Sequence, residues 1–214
     1  MQITKLILGA CITNCYIVAS NKGNCVIIDP ADEAEKIIDA VHKNGLNVQY
    51  IFITHGHTDH ILALEEVKNE FQAPIVISKV DGWRLSDEEL INERPYVKVP
   101  YKAVKPDILV EENDVLKVDE LTFRFYGMPG HTEGSMAIVL DDIIFTGDTL
   151  LFENHGKTTL PGGNEEQLVA SIQRLAKEFR GDYRILTGHR AETTLEHERQ
   201  FNPYINKDIQ IEGK

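Results

Sequence analysis

At 214 residues and 42% hydrophobic, the chain is long enough to bury a sizeable core, as one large domain or two modest ones. A formal charge of −12, scattered and with no Lys/Arg run to offset it, repels phosphate backbones and anionic lipid. Nucleic acid and membranes are therefore set aside as partners, a small-molecule substrate is expected, and nothing in the composition fixes an oligomeric state. Cys11, Cys15 and Cys25 are odd in number and lack partners at zinc-finger spacing, so they read as buried, reduced thiols. Too few apolar residues separate Lys5 from Cys11 for a signal-peptide core of about 7–15 residues, so the start reads as mature sequence and the cytoplasm as the expected location.

In chain order, residues 2–8, 15–19 and 25–29 read as strands, with the hairpin signal Asn21-Lys22-Gly23-Asn24 between the last two. Asp29 precedes Pro30 and reads as a turn cap. Residues 32–44 carry Ala34, Ile37, Ile38 and Val41 at helical period, and Gly45 closes them. Residues 50–60 are an apolar, β-branched run that delivers His55, His57, Asp59 and His60 in quick succession, and the amphipathic stretch 61–71 follows. After a strand at 74–78 comes a segment, 80–106, with weak periodicity, Trp83 and repeated prolines; it is either a substrate-side loop or a mere excursion.

The second half repeats this grammar. Strands at 115–118 and 121–126 lead into Gly127-Met128-Pro129-Gly130-His131; strands at 135–140 and 143–145 lead into Thr146-Gly147-Asp148. Residues 164–179 form an amphipathic helix with Leu168, Ile172, Leu175 and Phe179 inward, and a last strand at 183–186 leads into Thr187-Gly188-His189. The expectation is a single domain made of two similar β-rich halves, about 1–110 and 111–214, with outer helices.

His55, His57 and Asp59 alternate as side chains do on extended backbone, so all three can lean to one side of the strand tip. Nitrogen and oxygen donors so crowded suit borderline-soft divalent metals. His55, His57 and His131 could hold one ion and Asp59, His60 and His189 a second, with Asp148 offering an oxygen to each. Three protein ligands plus a shared carboxylate leave positions open for water, which marks a catalytic site. A water bridging ions roughly 3.5–4 Å apart loses a proton near neutral pH and becomes a nucleophile. Two divalent ions are expected, zinc first, with iron or manganese as alternatives. His131, Asp148 or His189 alone would be an ordinary polar residue; their shared place after strands singles them out. His42 and His197 read as solvent-facing, and His155 lies outside the ligand set.

With these motifs in view, the chain resembles a metallo-β-lactamase-fold hydrolase, and more narrowly the short glyoxalase II-like (hydroxyacylglutathione hydrolase-like) group. The resemblance runs from Asn14-Cys15-Tyr16 to Asn202-Pro203-Tyr204 and is carried by HxHxDH at 55–60, Gly130-His131-Thr132-Glu133-Gly134-Ser135, Thr146-Gly147-Asp148-Thr149-Leu150-Leu151-Phe152 and Thr187-Gly188-His189. It implies an α+β, four-layer αβ/βα sandwich with the metals where the loops of two sheets meet. It also implies thioester hydrolysis by a metal-bridging hydroxide, with Asp59 holding its metal and the hydroxide in line. Lys157-Thr158-Thr159 stands before Leu160-Pro161-Gly162-Gly163 where the group usually has Arg-Thr-Asp, which makes Lys157 the first candidate to hold an anionic substrate; Arg190, beside His189, is the second. Full-length glyoxalase II adds a C-terminal helical domain that grips glutathione, and no such domain is expected here. The same pattern resembles a persulfide dioxygenase that would use His55, His131 and Asp148 around one iron, and lactonases and β-lactamases of the same fold.

Overall fold

A computed structural model describes residues 1–206. Two six-stranded mixed sheets face each other. The first holds, in spatial order, β1 (Gln2–Leu8), β2 (Thr13–Ala19), β3 (Asn24–Ile28), β4 (Asn47–Phe52), β5 (Ile75–Ser78) and β6 (Ile108–Val110). β1 to β3 pair antiparallel and β3 to β6 parallel. In the second, β7 (Val115–Val118), β8 (Leu121–Gly127), β9 (Met136–Leu140) and β10 (Ile143–Gly147) pair antiparallel, followed by β11 (Arg184–Thr187), parallel to β10, and β12 (Thr193–Thr194).

Strand alternation sorts the apolar residues into three cores. In β2, Cys15, Ile17 and Ala19 face outward and pack with Ile37 and Val41 of α1 (Ala34–Lys43) and with Leu64 and Val67 of α2 (Leu64–Phe71). Tyr16 and Val18 point the other way, into the layer between the sheets. There Phe52 meets Phe123 and Phe125 edge-on at 5.2 and 5.3 Å, contacts worth about 0.5–1.5 kcal/mol each beyond their buried area. On the far side, Ala137, Val139, Ile144 and Ile185 pack under Leu168, Ile172 and Leu175. Those leucines and the isoleucine lie on the long helix Glu165–Glu178, which Asn164 caps by accepting from Gln167 N at 3.0 Å. Helix, sheet, sheet, helix is the four-layer sandwich.

Several local expectations change. The stretch at 61–71 is not helical from its start: a 3-10 turn at Thr58–His60 precedes α2. The segment 80–106 contains a 3-10 turn at Gly82–Ser86 and the short helix α3 (Glu88–Asn92). β6, β12 and the helix Leu195–Phe201 add to the expected elements, each being too short for a periodic signal. Cys11 is only half-buried, unlike Cys15 and Cys25. His197 is half-buried too, stacked on Phe152. Among the described residues no helix is long and apolar enough to cross a membrane.

Candidate metal centre

Each expected ligand sits past the C-terminal end of a strand. β4 delivers His55, His57, Asp59 and His60, β8 delivers His131, β10 Asp148 and β11 His189. The two sheets are tied together at this edge. Thr13 bridges His189, Asn14 N donates to Gly188 O at 2.7 Å, and the Tyr16 hydroxyl donates to Thr187 O at 2.7 Å.

One set of donors is all imidazole. His57 Nδ1 lies 2.8 Å and His55 Nε2 3.1 Å from His131 Nε2. Hydrogen bonds behind the rings fix which nitrogens carry lone pairs. His131 Nδ1 donates to Lys157 O at 2.7 Å. The Thr54 hydroxyl spends its proton on Asp29 Oδ2 at 2.7 Å and so must accept from His55 Nδ1 at 3.1 Å. Lone pairs of His55 and His131 therefore face one another at contact distance, an arrangement that a cation relieves.

The other set is Asp59, His60 and His189, whose donor atoms lie within 4.8 Å of one another. His189 Nε2 is 3.1 Å from Asp59 Oδ2 and 3.5 Å from Asp148 Oδ2. Asp148 turns its other oxygen, Oδ1, toward His60 Nε2 at 3.6 Å, and its Oδ2 lies 3.6 Å from His131 Nε2, so this carboxylate sits between the sets. His60 Nε2 and Asp148 Oδ1 are buried and have no hydrogen-bond partner among the described residues. Two buried, facing polar atoms left without hydrogen bonds among the described residues fit a metal ion.

Electrostatics divides the sets. Burial, then the neighbouring His131, pushes His57 down to about 2, and burial with His60 and His131 holds His55 well below the usual range. Burial works the same way on His60, but Asp29, Asp59 and Asp148 overcome it and raise this ring to about 10. Asp59 is held well below the ordinary carboxylate range: burial opposes ionisation, and the hydrogen bond from His189 and the charge of His60 outweigh it.

Residues 8–189 match the Metallo-beta-lactamase superfamily. The chain belongs to that superfamily. Hydroxyacylglutathione hydrolase GloC of Haemophilus influenzae is 31% identical over 96% of this chain and 99% of its own. The crystal structure of BLEG-1 B3 metallo-beta-lactamase superposes with a TM-score of 0.89 at 29% identity, covering 96% of this chain and all of that one (100%). TTHA1623 in a di-iron-bound form gives 0.84 at 28% identity, over 94% of this chain and 99% of its own. The four-layer sandwich is thus the metallo-β-lactamase fold, and its His/Asp cluster is able to bind metal ions.

The superfamily motifs leave out the residues that brace the ligands. Asp29, expected only as a turn cap, is buried and accepts from Thr54 N at 2.8 Å and from His60 Nδ1 at 2.9 Å, so it presents His60 Nε2 to the site. Asp81, fully buried, accepts from Gly56 N at 2.9 Å, from the Thr132 hydroxyl at 2.8 Å and from Gly134 N at 3.1 Å, joining the loops of His57 and His131. Arg84 pairs with Asp81 at 3.2 Å and donates to Pro161 O at 3.1 Å. Segment 80–106 is thus no mere excursion. Gly188 lets the backbone come close to the shared carboxylate: a Cβ there would lie 2.3 Å from Asp148 Oδ1. Lys157 and Arg190 are exposed beside the site, while their backbone carbonyls hold His131 and, for Arg190, Lys5 and Asn14. His155 turns away to Glu165 at 3.3 Å and packs edge-on against Tyr204.

Proposed function

We propose that this chain is a two-metal hydrolase of small thioesters. The observation that carries the reading is the pair of adjacent donor sets, His55–His57–His131 and Asp59–His60–His189, with one oxygen of Asp148 turned toward His60 and the other toward His131 and His189. Divalent ions held there, zinc first, would supply Lewis acidity and lower the pKa of a water. The chain's own part is to hold the donors ready: Asp29 and the Lys157 carbonyl fix the tautomers of His60 and His131, and Asp59 keeps its charge while binding His189. A thiolate, from a thiol of pKa near 8.5, departs without a general acid, which suits a site whose carboxylates are already engaged. The name of GloC, a hydrolase of hydroxyacylglutathione thioesters, supports this substrate class. Exposed Lys157 and Arg190 are the cations proposed to hold an anionic carrier.

Elemental analysis of purified protein, with a panel of thioesters, persulfides and lactones on the same sample, tests the proposal. Two ions per chain and thioester turnover are expected. His55, His131 and Asp148 also stand together, so one reproducible iron with oxygen uptake would replace the hydrolase with a dioxygenase.

A further inference from the structure

Glu198, on the helix Leu195–Phe201, is fully buried and lies outside both donor sets. Burying an acid is costly unless hydrogen bonds replace the lost water. The Thr193 hydroxyl donates to its Oε1 at 2.7 Å, Asn202 Nδ2 donates to Oε2 at 2.8 Å, and Glu153 N donates to both oxygens, at 3.2 and 3.0 Å. Its hydrogen-bond partners among the described residues include no cation, so the carboxylate serves there as an acceptor.

What it holds leads to the metal centre. Glu153 stands at φ 50, a left-handed backbone that a non-glycine residue seldom adopts, and its N–H is spent on Glu198. Buried Asn202 holds the next residue, donating to Asn154 O at 3.0 Å. Further along the same turn, Gly156 N donates to Asp148 O at 2.8 Å and Lys157 O accepts from His131 Nδ1 at 2.7 Å. The fit leaves no slack, since a Cβ at Gly156 would lie 2.3 Å from Asp148 O and 2.7 Å from His131 Nδ1. Residues 153–157 are a short strut, anchored by Glu198 and Asn202 at one end and bonded to Asp148 and His131 at the other.

We propose that Glu198 and Asn202 are positioning residues for the metal centre: they set residues 153–157 so that the Lys157 carbonyl keeps the His131 proton on Nδ1 and leaves Nε2 to a metal. The metal reading enters only in taking His131 as a ligand; thioester chemistry does not enter. The requirement on Glu198 is acceptance. Glu198→Gln keeps one oxygen for Glu153 N and Asn202, and its amide can face Thr193, whose hydroxyl accepts as readily as it donates. Glu198→Met keeps length and bulk but leaves Glu153 N and Asn202 Nδ2 without that acceptor.

Nitrogen-15 NMR of the histidine rings in metal-free protein reads this without turnover. The Nδ1–H of His131 should be visible and exchange slowly with solvent. Glu198→Met should speed that exchange about tenfold and mix the two tautomers, and Asn202→Ala should act in the same direction more weakly. Glu198→Gln should keep the native signal. Leu195→Ala, which truncates a buried core residue of the same helix, should lower Tm and leave the His131 proton unchanged. Zinc affinity, measured by chelator competition, should follow the same order and fall about tenfold in Glu198→Met. The proposal is overturned by a native protein without a slowly exchanging His131 Nδ1–H, or by a signal indifferent to both Glu198→Met and Asn202→Ala. Glu198→Gln as damaging as Glu198→Met, or equally fast exchange in Leu195→Ala, would overturn it too. If the proton pattern holds and zinc does not bind, the metal reading falls and the positioning role stands.

Discussion

The two donor sets lie side by side yet obey opposite rules. Around His55, His57 and His131, burial decides, and His57 is driven down to about 2. At His60, burial is just as complete, but three carboxylates outweigh it and the ring rises to about 10. Desolvation therefore does not settle a histidine's state by itself; the count of acids within reach does. The first set offers a cation only neutral nitrogens, the second negative charge as well, so under the two-metal reading each should fail by a different route.

The largest effect is expected where the sets meet. Asp148→Asn keeps the shape but removes the charge placed between them, so at least one ion should be lost and turnover should drop more than about a hundredfold. Metal content and kcat/KM measured on the same preparation check this. A variant with both ions and full turnover would take Asp148 out of the shared position.

The next effect separates the sets. Asp29 touches His60 directly and His55 only through Thr54. Asp29→Asn should therefore weaken metal at the second set by about 10–100-fold and the first much less, as outer-layer partners of ligating histidines generally do. Chelator competition that resolves two affinities would show the split; equal loss at both would dissolve the comparison.

Proton release sharpens it further. A ring raised to about 10 is protonated at pH 7, so an ion entering the second set must displace that proton, and affinity there should fall about tenfold per pH unit as pH drops from 8 to 6. His57, at about 2, is already neutral over this range and gives up no proton. Refilling chelator-stripped protein in buffers of different ionisation enthalpy measures the difference. A second set that fills without releasing protons would contradict it.

The donor sets were legible in sequence because four apolar runs each end in a Gly-flanked His or Asp, which placed His55, His57, Asp59, His60, His131, Asp148 and His189 just past strand ends. Their braces were not. Asp29 precedes His60 by 31 residues and Asp81 precedes Thr132 by 51, and nothing along the chain marks which distant carboxylate will fold back on which ring or loop. The fold was legible where strands ran long, as in β1, β2 and β8. It was lost in β6 and β12, whose 3 and 2 residues are held by their neighbours rather than by any pattern of their own.

The smallest expected effect tests whether charge outside the ligand sets matters at all. Lys157 serves the three-His set with its backbone, since its carbonyl holds His131 Nδ1, which leaves its exposed ammonium free to serve the substrate. With a net charge of −12, diffuse attraction of an anion is unfavourable, so a carboxylate on the substrate needs a local cation. Lys157→Ala keeps the carbonyl and removes only the ammonium. KM for an anionic thioester should rise several-fold, with kcat and the KM of a neutral analogue nearly unchanged, because binding is lost equally in ground and transition states. A matching loss with both substrates would mean that the mutation disturbed His131 instead; no loss with either would return Lys157 to the solvent and shift the search to Arg190.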